Sequence, residues 1–242
     1  MENNEELNLK RLQEEAASGA HSVVRKGKLL QYVTPRSAEL DESVVTVQRY
    51  GCFGSNLFPG KINDLQLTAG ITSANLRDGK TVVAANLATF FATDTRDDTV
   101  LVDLSFRKPR LHHVFGTPAS PGIVESLRSG TINVSRTTIK NLWLVPHGFS
   151  DFDAMTFDKV VELRDALTTL KRQFRFIVLD LPSALQPDFP TMISNLLDGY
   201  VVVVNAGRTT VPEVKAVFQV LNEKKVLGFV MNRTPPPGRR GS

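Results

Sequence analysis

Cysteine is nearly absent: the 242-residue chain has one, Cys52. A single thiol closes no intrachain disulfide, so a disulfide-stapled scaffold is excluded and a reducing compartment suits the chain. No base stands near Cys52 in sequence, and it reads as a passive thiol rather than a nucleophile. Long apolar runs are missing too, since no stretch approaches the ~20 residues that a helical membrane span needs. The opening residues MENNEELNLKRLQEE are acidic and polar. They lack the basic and apolar regions of a secretory signal. Neither charge sign dominates: 29 Lys and Arg against 25 Asp and Glu give a net charge of +4. The basic residues are scattered and not interleaved with aromatics, which argues against a nucleic-acid partner. What is present is ordinary for a soluble globule. Hydrophobic residues make up 41% and charged residues 22%, which excludes a wholly disordered chain. The expected location is the cytoplasm, with any membrane role exercised through a partner.

Residues 1–60 read as an appendage that packs on the main domain or on another subunit. Its first part, 5–17, has the composition of a solvated helix. From 18 to 63 apolar residues are sparse and glycines and Pro35 break any pattern. Regular order begins at residue 61 and runs to 234, and 235–242 reads as a disordered tail. Strand-like runs occupy 64–72, 99–103, 141–145, 176–180, 200–204 and 226–231. Helical spacing occupies 81–93, 158–174 and 212–221. Continuous apolar strands alternating with helices imply a parallel sheet covered on both faces, that is, a doubly wound α/β fold.

The chemistry centres on the segment Ala74, Asn75, Leu76, Arg77, Asp78, Gly79, Lys80, Thr81, Val82. It follows a strand and opens a helix, which is the setting a phosphate-binding loop requires. Backbone N–H groups of the turn and of the helix N-terminus converge on phosphate oxygens. Gly79 permits close backbone approach, Lys80 neutralises the β- and γ-phosphates, and the Thr81 hydroxyl reaches Mg²⁺. Ala74 replaces the first glycine of the strict pattern. Two strands end in an aspartate, Asp103 and Asp180. In a parallel sheet both fall on the edge beside the phosphate loop, where they can hold Mg²⁺ and orient a nucleophile. The expected ligands are therefore ATP or ADP with Mg²⁺. The histidines, His21, His112, His113 and His147, have no carboxylate or thiol at zinc-ligand spacing. Trp143 and the phenylalanines read as core. Tyr200 opens a buried strand and reads as core as well. Arg208 reads as a cap or loop residue, with a nucleotide-linked role as the less favoured alternative.

With these residues in place, the chain resembles the Mrp/MinD-like P-loop ATPases, and among them the bacterial tyrosine kinases of capsule and exopolysaccharide synthesis. The resemblance runs from about Leu65 to Arg233. VLVDLSFRKPRLHHVFG resembles the family's second aspartate motif, a strand followed by Asp-x-Asp-x-Arg-Arg/Lys-Pro, with Arg107, Lys108 and Pro109 at its basic end. NLWLVPHG, FRFIVLDLPSAL, DGYVVVVNAGRTT and VLGFVMNRT resemble further family strands. The resemblance implies Asp180 as the Walker B carboxylate, Asp103 as base or metal-linked carboxylate, and Asn232 and Arg233 beside the adenine. It implies an ATP-binding protein that regulates polysaccharide assembly or export. Its partner would be an inner-membrane chain-length regulator (a polysaccharide co-polymerase) or another synthesis component, and a homo-oligomer is a further partner class.

The departures shape the reading. Leu76-Arg77 stands where the family has Pro-Gly, and Ser105 replaces the second aspartate, which weakens water-mediated Mg²⁺ binding and proton acceptance. Asn75 holds the place of the signature lysine of partition and septum-site ATPases, which disfavours their sandwich dimer. Three tyrosines occur, Tyr32, Tyr50 and Tyr200, with none after Arg233. Autophosphorylating relatives carry a C-terminal tyrosine cluster, so the expectation is a protein that is not an autokinase. Whether the site works as an ATPase or kinase stays open. So do three alternatives: a tyrosine kinase acting in trans, a catalytically dead scaffold, and a positioning ATPase of the MinD/ParA type.

Overall fold

The computed structural model describes residues 66–149 and 156–233, together with the backbone of 21–25 and 28–32. The last two segments, β1 (His21–Arg25) and β2 (Lys28–Tyr32), pair as an antiparallel hairpin. The sequence reading had no strand here. Its signal is two short apolar pairs, Val23-Val24 and Leu29-Leu30, either side of Lys26-Gly27. The expected helix at 5–17, Cys52, Tyr50 and the tail lie outside the described residues.

From residue 67 the chain alternates between strands and helices. The elements are β3 (Leu67–Ser73), α1 (Lys80–Phe90), β4 (Thr99–Asp103), α2 (Leu111–Phe115), α3 (Ile123–Ser129), β5 (Ser135–Arg136), β6 (Leu142–Val145), α4 (Phe157–Lys171), β7 (Phe176–Asp180), β8 (Gly199–Asn205), α5 (Val211–Val220) and β9 (Val226–Asn232). The strands form a seven-stranded sheet in the order β5-β6-β4-β7-β3-β8-β9. All neighbours are parallel except the two-residue edge strand β5 on β6. The crossover from β3 through α1 skips one place and lands on β4, and β7 later fills the gap. Strand order therefore turns back at β3. In a sheet of this kind, ligands lie outside the carboxyl ends of the strands at that point.

Burial explains why the strands read as unbroken apolar runs. On one face Ala69, Ile71, Leu101, Val178, Val201 and Val203 pack against Val83, Ala84, Leu87 and Ala88 of α1 and Leu111 and Phe115 of α2. On the other, Val100, Val102, Ile177, Leu179, Tyr200 and Val202 meet α3, α4 and α5 through Ile123, Leu163, Leu167, Leu170 and Val217. Helix α1 is buried around nearly its whole circumference, as suits the central helix of a two-sided sheet. The chain leaves it through one wider turn at Phe91–Thr95. There Phe91 stacks flat on Phe176 of β7, with centroids 4.2 Å apart. Each such fully buried side chain contributes roughly 1.5–3 kcal/mol of transfer free energy. This burial holds the first helix, and hence its N-terminus, over the sheet edge.

Most element positions agree with the sequence expectation to within three residues at each end. Helices α2 and α3 and strand β5 were not expected; at seven residues or fewer they are too short to show a hydrophobic period. One core assignment needs correction. Phe149 and Phe157 are exposed, at 71% and 64%. Trp143 is only partly buried, lying between Arg136, 4.7 Å from its ring, and Phe174. It sits on β6, one strand from the sheet edge, where cover is thin.

Glu125 organises the loop that leads into α3. Its carboxylate accepts the Gly122 N–H at 2.8 Å, the Phe149 N–H at 2.8 Å and the Ser120 hydroxyl at 3.0 Å. Burial alone would raise its pKa. The Gly122 and Phe149 N–H groups and the Ser120 hydroxyl outweigh that and hold it below the ordinary 4.5. A depressed carboxylate stabilises the fold above its unfolded value, and that stabilisation is lost as pH falls through the folded value. Glu125→Gln is expected to cost about 1 kcal/mol at pH 7, the scale of a partly exposed charge-assisted hydrogen bond. The gap to wild type should close as pH falls below 4.5. Paired denaturant titrations at the two pH values measure it, and a gap independent of pH would contradict the charge-based account.

Candidate functional site

The residue after β3 begins the loop that the sequence marks. Ser73 Oγ donates to the Asn75 carbonyl at 2.7 Å, folding the chain back at once. Arg77 and Gly79 both take left-handed backbone conformations, with φ of 67° and 101°. Gly79 caps α1, so the next N–H groups are the unpaired donors of the helix's first turn. Asp78 is fully buried and its Oδ2 accepts the Asn75 N–H at 2.9 Å, closing the loop from inside. Burial pushes the Asp78 carboxyl up, against the opposing effect of that N–H, Lys80 and Arg208. Lys80 is buried and turned inward, its Nζ 2.9 Å from Ser183 Oγ in the loop after β7. Burial lowers its pKa, and the carboxylates of Asp180, Asp78 and Asp188 resist that.

The two strand-end aspartates stand side by side. Asp103 and Asp180 are register partners on β4 and β7, and both are fully buried. Asp180 Oδ2 accepts from the Thr81 hydroxyl at 2.7 Å and from the Ser105 hydroxyl at 3.0 Å. Asp103 accepts the Ser105 N–H at 3.0 Å and the Leu111 N–H at 3.2 Å, which ties the β4 loop to α2. Both carboxyls are raised above the ordinary range, chiefly by burial, and for Asp103 also by the charge of Asp180. The structure thus brings Lys80, Thr81, Asp103 and Asp180 to one edge, as the motifs imply. Val82 follows in the first turn of α1.

Asn232 lies at the phosphate loop itself. Its Nδ2 donates to the Asp78 carbonyl at 2.8 Å. Arg233 is exposed at the end of β9. Three participants, Ser183, Glu213 and Asp188, had no sequence expectation, and Arg208 reads from sequence as a cap or loop residue. Ser183 partners Lys80. Glu213, in the first turn of α5, accepts from Asn75 Nδ2 at 2.9 Å and from the Thr210 N–H at 2.7 Å. Asp188 accepts from Arg107 Nε at 3.0 Å. Arg208 reaches the Leu76 carbonyl at 3.4 Å. A hydroxyl immediately after Pro182 and a glutamate three residues after Thr210 were the available signals; the second is a capping-box spacing. His147 is buried beneath the β4 loop, edge-on to Phe106 at 5.6 Å. His112 and His113 lie together on α2, their rings 4.0 Å apart.

These residues fit a nucleotide phosphate chain with a magnesium ion. A left-handed glycine and a helix N-terminus offer convergent N–H donors, and Lys80 supplies the cation. Asp180 Oδ1 is buried and has no hydrogen-bond partner among the described residues. An orphaned carboxylate oxygen beside a threonine hydroxyl is the donor set that a hydrated magnesium ion would satisfy.

No family model matches the chain. Similarity to individual proteins is clear. The tyrosine-protein kinase CpsD of Streptococcus pneumoniae serotype 4 is 28% identical over 170 residues, covering 67% of this chain and 74% of that protein. The succinoglycan biosynthesis transport protein ExoP of Rhizobium meliloti is 27% identical over 174 residues, covering 68% of this chain. This chain spans only 22% of ExoP. Among solved structures, the chimerical protein CapA2B2 is 25% identical with a TM-score of 0.68, covering 78% of this chain and 84% of that one. The cell division ATPase MinD of Pyrococcus furiosus is 25% identical with a TM-score of 0.56, covering 72% of this chain and 77% of that one. In sequence and in fold the chain resembles the bacterial tyrosine kinases of capsule and exopolysaccharide synthesis, within the MinD-like P-loop ATPases.

Proposed function

We propose that this chain binds Mg-ATP and Mg-ADP at the Gly79-Lys80-Thr81 loop and regulates polysaccharide assembly or export. The observation that carries the reading is the buried Lys80 ammonium at the N-terminus of α1, beside the Thr81–Asp180 pair. Thr81 and Asp180 would hold magnesium, with Asp103 next to them, and the ion would offset charge on the phosphates. Asn232 and Arg233 would border the base. Among the described residues no helix is long and apolar enough to cross a membrane. We also propose a place on the cytoplasmic face, docked to a membrane chain-length regulator; similarity to a succinoglycan biosynthesis transport protein supports a role in polysaccharide transport. Calorimetric titration of Mg-ATP and Mg-ADP into the full chain tests the reading. Saturable binding below millimolar concentration supports it, and no heat at millimolar nucleotide overturns it.

A second reading, binding with little or no turnover, is favoured by Ser105. Its hydroxyl donates to Asp180 where the kinases place a second carboxylate. A serine there can orient a group but cannot accept its proton at neutral pH. Ser105→Asp is expected to raise phosphate release from Mg-ATP by about tenfold or more, the scale of a restored transition-state contact. It should also lower the stability of the nucleotide-free protein by about 1–2 kcal/mol, because a third carboxylate joins Asp103 and Asp180. Phosphate-release assays and thermal melting measure the two effects. Unchanged turnover would show that Ser105 is not what limits the chemistry.

A further inference from the structure

The geometry points to Arg107 as a further phosphate-binding residue, contacting the terminal phosphate of a nucleoside triphosphate, with Asp188 as the residue that positions it. The inference rests on the nucleotide reading above. The loop after β4 runs across the sheet edge, with Ser105 over Asp180 and Arg107 over the loop that follows β7. There Arg107 Nε donates to Asp188 Oδ2 at 3.0 Å. The Asp188 side chain is only 10% exposed, whereas that of Arg107 is 56% exposed. The carboxylate is thus the fixed partner and the guanidinium the reaching one. The bond uses Nε alone. Among the described residues no hydrogen bond engages the two terminal nitrogens, which form the fork that suits phosphate oxygens.

Asp188 belongs to the loop after β7, and five residues earlier in that loop Ser183 accepts from Lys80 Nζ at 2.9 Å. One loop thus partners both cations. Asp188 Oδ1 is buried without a hydrogen-bond partner among the described residues. Arg107 and Lys80 therefore meet the same loop from different elements, Lys80 from α1 and Arg107 from the β4 loop. A cation held in cis on a neighbouring loop is the arrangement by which phosphoryl-binding sites offset terminal-phosphate charge. With a serine at 105, Asp188 is the carboxylate that directs Arg107.

Calorimetry on the full chain with ADP and with a non-hydrolysable ATP analogue, each with magnesium, tests this in wild type, Arg107→Ala, Arg107→Lys and Asp188→Asn. Arg107→Ala is expected to weaken the triphosphate analogue by about tenfold, on the scale of a lost charge-assisted contact, and to move ADP affinity by less than about twofold. Asp188→Asn should shift the triphosphate-to-diphosphate ratio in the same direction but less, and Arg107→Lys should recover part of it. Melting temperatures without nucleotide should stay close to wild type for the two Arg107 variants. If wild type binds while the ratio stays unchanged in all variants, the assignment of Arg107 falls alone. If Asp188→Asn tightens the triphosphate, Asp188 competes with phosphate and the positioning role is overturned. If wild type binds neither nucleotide, the nucleotide reading itself fails, and this inference with it.

Discussion

Lys80→Ala should weaken Mg-ATP by at least about a hundredfold while leaving the fold intact. The expectation follows from how the ammonium is held. Within the protein its hydrogen bond goes to a neutral hydroxyl, Ser183 Oγ at 2.9 Å. Burial disfavours the charge, and the carboxylates of Asp180, Asp78 and Asp188 only partly offset that. A buried cation without a direct ionic partner contributes little to folding. Its proton is bound less tightly in the folded than in the unfolded protein. Folding is therefore penalised at neutral pH, and the penalty fades as pH rises from the lowered folded value through the ordinary 10.5. Removing the side chain removes that penalty along with some packing, so the melting temperature should change little. A triphosphate, by contrast, loses a charge-assisted contact in a site shielded from water. Two such contacts at about 1.5–3 kcal/mol each correspond to a hundredfold or more in affinity. Calorimetry and thermal melting on the same preparation separate the two effects. Unchanged affinity would remove the phosphate-loop assignment, and a collapse in melting temperature would show Lys80 to be structural.

Much of this site was legible because its parts are local. Gly79-Lys80-Thr81 lies in eight residues between a strand and a helix, and Asp103 and Asp180 each terminate an apolar run, so sheet topology alone brings them together. The strands were legible for the same reason, since both faces are buried and the runs are unbroken. What escaped the reading is long-range. Lys80 and Ser183 are 103 positions apart, Asn75 and Glu213 138, and Arg107 and Asp188 81. No window along the chain contains both members of such a pair; they meet because β3, β4, β7 and β8 share one edge. Asn232 adds a contact of the same long-range kind: the resemblance implies a place beside the base, and the structure ties its side chain to the Asp78 carbonyl of the phosphate loop, 154 positions away. The exposure of Phe149 and Phe157 escaped for a different reason: hydrophobicity says that a residue gains by burial, not that a partner surface covers it.

Gly79→Ala is the second large effect, and unlike Lys80→Ala it should damage both stability and binding. Gly79 has φ 101° and ψ 21° at the start of α1, a left-handed conformation that costs a residue with a Cβ about 1–2 kcal/mol. Space is the greater difficulty. A Cβ on Gly79 would fall 2.0 Å from Asn232 Nδ2. That nitrogen donates to the Asp78 carbonyl at 2.8 Å and ties β9 to the phosphate loop. Relieving the clash means turning Asn232 away and losing that hydrogen bond, which adds about 1 kcal/mol. The expected loss is about 2–3 kcal/mol in a denaturant titration. Affinity for Mg-ATP should fall at least about a hundredfold, because the displaced loop no longer aims its N–H groups at one point. A second substitution separates the two causes. Gly79→Ala combined with Asn232→Gly removes the clash but keeps the strained φ. It should be more stable than Gly79→Ala with Asn232→Gly's own cost subtracted, and should still bind nucleotide poorly. If the double variant binds as wild type does, the clash alone closes the site and the left-handed turn is dispensable. If Gly79→Ala itself binds normally, this loop does not cradle phosphate.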